Sequence, residues 1–175
     1  MPIHPWLIIP LLLVAGAAAL WGSFSWTVHR RDLIRRPEER QVGFGLKKTL
    51  LIYQPSNRGR INAIAWELAK ALARAGHTVT LNVPSPVLTY DPGEYDLLVF
   101  GGSAYLGAVG RPLKDYLSSL KFRGKQVLLF VVGDLERAPE MAGLRLCVPA
   151  GNQVRSIKIR PDEGEKLCQF AQASV

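Results

Sequence analysis

Hydrophobic and polar positions divide this chain into one long uncharged run and a series of shorter patterned stretches. The run, Pro5 to Val28, holds no charged side chain. Farther on, Leu50-Leu51-Ile52-Tyr53, Leu97-Leu98-Val99-Phe100 and Val127-Leu128-Leu129-Phe130-Val131-Val132 are continuous and apolar, the pattern of strands buried on both faces. His77 to Val83 and Val154 to Ile159 alternate instead, as half-buried or edge strands do. Ile61, Ile64, Ala65, Leu68 and Leu72 recur at three- and four-residue steps, with Asn62, Glu67, Lys70 and Arg74 largely on the other side. That spacing predicts an amphipathic helix stopped at Gly76. Pro112 is placed to open a second helix with Leu113, Tyr116, Leu117 and Leu120 inward, and Pro161 a last one with Leu167, Phe170 and Ala171 inward. Glu136 to Leu144 reads as a short helix or a loop, and Pro84 to Gly93 as a loop without a helix.

Strands alternating with helices, most of the strands continuous apolar runs, specify a parallel α/β sheet covered on both faces. Ligands of such sheets bind beyond the carboxyl ends of the strands. Three of the strands run into glycine-bearing loops: Ser56 to Gly59, Gly101 to Gly107, and Gly133-Asp134.

The uncharged run is long enough to cross a hydrocarbon core of about 30 Å at about 1.5 Å per residue. Trp6 at one end and Trp21 and Trp26 at the other suit the interfacial aromatic belt. A cleaved signal peptide is the rival, since Ala15-Gly16-Ala17 resembles a cleavage site. However, no Lys or Arg precedes the run, and the run continues past that site. Arg30, Arg31, Arg35 and Arg36 follow it instead, which by the positive-inside rule places the rest of the chain in the cytoplasm. The expected organisation is a transmembrane helix over 5–28, a basic juxtamembrane linker over 29–47, and an α/β domain over 48–175. Mixed charge, Pro37, Gly43 and Gly45 argue against a packed element in the linker.

Composition narrows the chemistry. Lys and Arg total 22 against 14 Asp and Glu, a formal charge of +8, which suits anionic lipid, an anionic cofactor or nucleic acid. Nucleic acid is the weakest of these, because no zinc-finger spacing, ribonucleoprotein aromatic motif or basic-region heptad is present. Cys147 and Cys168 match no metal or redox spacing, and no Ser/His/Asp set or carboxylate pair suggests a hydrolase. With only His4, His29 and His77, a histidine general base has no good candidate, and His77 reads most simply as a surface residue.

The most informative stretch is Leu50 to Ala65. A buried strand enters a polar turn and then a helix N-terminus, where unpaired N–H groups and the macrodipole favour a phosphate. Ser56 and Asn57 can add side-chain hydrogen bonds around Gly59, and Arg58 and Arg60 can add formal charge. An ordinary strand–turn–helix connection with a solvated arginine pair is the alternative.

From about Lys48 onward the chain resembles the flavodoxin-like family. Tyr53, Ser56, Gly59 and Ile64-Ala65 match the frame of its phosphate loop and following helix, and Tyr95 to Gly107 is similar to its third strand and flavin-side loop. Gly107, Pro112-Leu113 and Tyr116-Leu117 look closest to the branch containing menaquinone-dependent protoporphyrinogen dehydrogenases. One extra residue lies between Tyr53 and Ser56, and Ile61 replaces the usual threonine. The resemblance implies a doubly wound five-stranded parallel sheet in the order 2-1-3-4-5 and an FMN cofactor. The phosphate would lie at Ser56, Asn57, Arg58, Gly59 and Arg60. The ring would lie between Gly102, Ser103, Ala104, Tyr105 and Gly107 on one side and Gly133-Asp134 on the other. Tyr105 would stack on the ring, and backbone donors from Gly102–Ser103 and Gly133–Asp134 would tune it.

Two functions follow as expectations: an FMN-dependent electron carrier or oxidoreductase anchored in the bilayer, or a flavin-free domain of the same fold used as a membrane-tethered interaction module. A redox protein or a quinone would be the partner of the first, and an oxidase acting on a membrane-soluble substrate through quinone extends it.

Overall fold

The computed structural model describes residues 12–23, 25, 35–56, 59–105, 107–134 and 139–174. The chain divides into two units, Met1–Leu33 and Ile34–Val175. In the first, residues 12–23 are helical (α1). Among the described residues no helix is long and apolar enough to cross a membrane. Residues 5–11, 24 and 26–28 of the expected span lie outside them.

The second unit is built on strands β1 (Arg40–Val42), β2 (Lys47–Gln54), β3 (His77–Asn82), β4 (Leu97–Tyr105), β5 (Ala108–Val109), β6 (Gln126–Val132) and β7 (Gln153–Ile159). Helices α2 (Arg60–Arg74), α3 (Arg111–Ser119), α4 (Pro139–Arg145) and α5 (Gly164–Gln172) alternate with them. The sheet runs β1-β3-β2-β4-β6-β7, with β5 paired to β4. From β3 to β7 the neighbours along this path are parallel.

Both faces of the sheet are covered, which is why its central strands read as continuous apolar runs. Leu51, Val99, Leu128 and Phe130 pack with Ile61, Ile64, Leu68 and Leu72 of α2 and with Leu167 and Ala171 of α5. Their strand neighbours Leu50, Ile52, Leu98, Phe100 and Leu129 turn to the other face and meet Leu113, Leu117, Met141 and Leu144 of α3 and α4. Each such side chain taken wholly out of water is worth about 1.5–3 kcal/mol.

The structure changes four details of the sequence reading. The sheet holds seven strands rather than five. One addition, β1, lies inside the expected linker and pairs antiparallel with β3 through Arg40↔Leu81 and Val42↔Val79. Three residues carry no legible periodicity; long-range contacts hold this strand. Asn82 Oδ1 accepts the Glu38 N–H at 3.0 Å, and the Asn82 amide donates to the Tyr90 hydroxyl at 2.8 Å. Tyr90 in turn donates to Glu39 at 2.6 Å, and the Arg40 guanidinium lies 5.9 Å from the Trp66 ring centre. Burial, reinforced by Glu39, pushes the Tyr90 phenol far above its usual range.

Second, β4 does not break at Gly101 but continues to Tyr105, because β2 and β6 still pair with Gly101 and Gly102 and β5 folds back on Ala104 and Tyr105. Third, the last helix opens at Gly164, three residues after Pro161, and Glu163 accepts the Arg160 N–H at 2.8 Å in the turn between them. Finally, His77 pairs with Lys47 of β2, and the β1–β2 loop passes beside it at Gly43, so it is buried rather than exposed, with Nδ1 2.7 Å from the Thr49 hydroxyl.

Burial, and secondarily the Lys47 charge, hold the His77 imidazole below its ordinary 6.5. As pH falls, the unfolded chain therefore takes up this proton before the folded one does. The contribution is fully present above the unfolded value and declines as pH drops below it. Urea midpoints compared at about pH 7.5 and about pH 5.5 are expected to fall on acidification, and His77→Gln to flatten that fall. Equal slopes in the two proteins would remove His77 as the cause.

Candidate functional site at the carboxyl edge of the sheet

Because β2, β4 and β6 are adjacent and parallel, their glycine-bearing loops emerge at one edge. The β2 loop is the most open of the three. Gly59 adopts φ 69° and ψ −10° and serves as the N-cap of α2. Its N–H donates to the Ser56 carbonyl at 3.1 Å, closing a four-residue turn, and its carbonyl accepts the Asn62 N–H at 3.0 Å. Among the described residues no side chain caps the helix, and no acidic residue lies in its first turn. The positive end of the helix thus meets no carboxylate of its own, and Arg60 is exposed beside it. A Cβ placed on Gly59 would find no atom of the described residues within 4 Å. Asn57 and Arg58, the central residues of the turn, lie outside the described residues.

Gln54, the last residue of β2, was missed in the sequence. It is buried opposite Gly102, and its Oε1 has no hydrogen-bond partner among the described residues. Its only signal was a polar residue closing an apolar run. Tyr53, on the α2 side, packs partly buried against the core. Burial raises its phenol, with Arg40 and Arg35 pulling the other way.

The other two loops are more closed. Gly102, Ser103, Ala104 and Tyr105 are strand residues, with Ala104↔Val109 and Tyr105↔Ala108 paired across the β4–β5 hairpin. Gly107 turns that hairpin at φ 73°, and the Tyr105 side chain lies outside the described residues. The glycines here make room for the protein's own atoms. A Cβ on Gly101 would lie 2.1 Å from the Phe130 ring, one on Gly102 2.7 Å from Val109, and one on Gly133 2.8 Å from the Ala104 Cβ. The Gly133 N–H, expected to face a ring, donates to the Ile159 carbonyl at 3.0 Å. Asp134 is exposed beside it, and residues 135–138 lie outside the described residues.

A buried ion pair sits behind this edge. Lys158 of β7 passes near Gly133, and its ammonium meets Glu140 of α4 at 2.5 Å. Their side chains are 11% and 1% exposed, and Glu140 Oε2 has no hydrogen-bond partner among the described residues. Neither residue was singled out from the sequence, since nothing local announces a pair eighteen residues apart on a helix and a strand.

Solved structures resemble the domain closely in shape. Oxidised Flavodoxin 2 from Bacillus cereus aligns at TM-score 0.57 and 22% identity, covering 73% of this chain and 96% of that one. The fold is flavodoxin-like. A flavodoxin from the domain Archaea aligns at TM-score 0.56 and 17% identity over 71% of this chain and 93% of its own. A flavoprotein in complex with FMN from Lactobacillus acidophilus NCFM aligns at TM-score 0.53 and 15% identity over 70% and 98%. Identities at this level speak to fold alone. No family model matches the sequence, and no curated protein does.

Against that flavodoxin-like frame, the phosphate end fits an anionic cofactor: an uncapped helix start, an acid-free first turn and open space at a left-handed glycine. At the ring end the chain's own side chains occupy the glycine faces.

The ion pair makes a prediction of its own. Lys158→Met leaves the Glu140 carboxylate buried without its cation and is expected to destabilise the domain by about 3–5 kcal/mol in urea unfolding. Adding Glu140→Leu to that variant is expected to restore most of the loss. A loss in the single variant below about 1 kcal/mol, the size of an exposed pair, would show the contact to be solvated.

Proposed function

We propose that the chain binds FMN at the carboxyl edge of its flavodoxin-like domain and carries electrons as a membrane-anchored protein at the cytoplasmic face. The observation that carries the reading is the start of α2: a left-handed glycine, no side-chain cap and no acid in the first turn, within a fold shared with a flavoprotein in complex with FMN. The uncharged Pro5–Val28 run and the arginines after it support the anchor. The reaction partner is a redox protein or a quinone.

Bound there, the flavin would supply the redox chemistry. The chain's own part is to hold and orient. Backbone N–H groups of the first α2 turn would hold the phosphate, the Ser56 hydroxyl would add a hydrogen bond, and Arg58 and Arg60 would add charge. Gln54 offers a buried amide oxygen at the strand end. The exposed Asp134 marks the opposite wall.

A second reading keeps the fold and drops the cofactor, leaving a membrane-tethered interaction module. The packing at Gly102 and Gly133 and the engaged Gly133 N–H favour it.

Flavin fluorescence titrations separate the two. Ser56→Ala is expected to weaken FMN by about 1–2 kcal/mol, the scale of one hydrogen bond to a charged group. Gly59→Val is expected to weaken it further. No described atom lies within 4 Å of a Cβ there, and the expected effect comes from the positive φ, which a β-branched residue resists. Riboflavin, without a phosphate, is expected to be indifferent to removal of Arg58 and Arg60. FMN affinities unchanged across the series would remove this loop as the phosphate site.

A further inference from the structure

The amino edge of the sheet carries a feature that cofactor binding does not use. Between β1 and β2 the chain reads Gly43-Phe44-Gly45-Leu46, then Lys47-Lys48, with glycines and large apolar residues alternating. The glycines are clamped. A Cβ on Gly45 would lie 1.8 Å from the Gly76 carbonyl oxygen, and one on Gly43 would lie 2.5 Å from that of His77. Gly43 also takes φ 83°, which favours glycine for a second reason. The Thr78 hydroxyl donates to the Gly45 carbonyl at 2.8 Å, and the Lys47 N–H reaches the Gly76 carbonyl at 3.4 Å. The loop is therefore fastened to the α2–β3 turn.

Fastening the glycines inward displays their neighbours outward. Phe44 and Leu46 are 104% and 101% exposed, the two most exposed of the large hydrophobic side chains described. Single apolar residues on a surface are ordinary. Two at the tip of one clamped loop are different, because both can leave water together without any rearrangement of the backbone. Lys47 and Lys48, which follow the tip directly, and Arg74, at the end of α2, are exposed, and the loop itself carries no acid. The nearest carboxylate interaction is Asp96, which accepts the Lys48 N–H at 2.7 Å, and Asp91 and Glu94 belong to the next loop along the edge. An exposed apolar tip followed directly by two lysines matches the boundary of an anionic bilayer, with acyl chains for the tip and headgroup phosphates for the cations.

We propose that the Phe44–Leu46 loop, with Lys47, Lys48 and Arg74, is a bilayer-contact site that docks the amino edge of the sheet on an anionic membrane surface. The proposal rests on the membrane attachment argued above and adds the face by which the domain meets the lipid. It also orients the candidate cofactor site. Lys47 and Gln54 are the two ends of one eight-residue strand, so at about 3.3 Å per residue the carboxyl edge stands roughly 25 Å from the docked one. That site then opens away from the lipid, toward a water-soluble redox protein rather than a quinone held in the bilayer.

The test uses the full chain in nanodiscs of phosphatidylcholine and phosphatidylserine, with Cys147 and Cys168 replaced by serine. A bimane label is placed at Leu46→Cys or, on the carboxyl edge, at Asp162→Cys. The label at position 46 is expected to be quenched by nitroxide-bearing lipid and to be several-fold less accessible to iodide than the label at 162. Removing phosphatidylserine is expected to weaken both effects. A label at 46 that iodide reaches as freely as the one at 162, in a chain embedded in the disc, overturns the bilayer contact alone. A label at 46 shielded from iodide and from lipid nitroxide alike overturns it in favour of a protein interface. A chain that stays out of the disc overturns the contact and the attachment together.

Discussion

Burial of both faces of one parallel sheet is the constraint on which this structure depends. Leu50, Leu51 and Ile52 point alternately to opposite faces and are all fully buried. The centre of β2 therefore cannot face water on either side, and helices must cover both faces. Parallel pairing then requires a crossover after each central strand, which brings the carboxyl ends of β2, β4 and β6 to one edge. The candidate site and the loop at the far edge are consequences of that arrangement.

The two ends of the candidate site are built differently. At the start of α2 the chain turns through a left-handed glycine, with no side-chain cap among the described residues and no acid in the first turn to oppose the positive end of the helix. At the β4 and β6 ends the glycines are used for packing: Phe130 fills the space at Gly101, Val109 that at Gly102, and Ala104 that at Gly133. Under the proposed cofactor reading, a phosphate would meet the more open end, whereas a ring would have to share an edge already closed by the protein's own side chains. This asymmetry separates the electron-carrier reading from the interaction-module reading.

Much of the fold was legible because its signals are local. The apolar runs of β2, β4 and β6 and the spacing of Ile61, Ile64, Leu68 and Leu72 each reflect burial that neighbours in sequence share. Gly59 was legible as a turn glycine for the same reason. What was not legible depends on distant partners. β1 exists through Asn82, Tyr90 and Trp66, none of them near it in sequence. His77 looked exposed because nothing in its own stretch shows that β2 pairs beside it and sets Thr49 against its ring. Gly101-Gly102 read as a strand end, since only the structure shows Phe130 and Val109 filling the space that side chains would need. Gln54 and the Glu140–Lys158 pair escaped notice because a lone polar residue beside an apolar run has no pattern until its surroundings are known.

The central claim is that the uncapped start of α2 holds a flavin phosphate, and the absorption spectrum of the purified full chain tests it most directly. The account predicts flavin bands that remain with the protein through gel filtration, or that appear in about one equivalent when FMN is supplied, and that riboflavin reproduces only weakly, as expected when a phosphate at a helix N-terminus supplies much of the affinity. A colourless protein that retains no FMN after mixing and gel filtration would contradict it, leaving the flavodoxin-like fold without its cofactor.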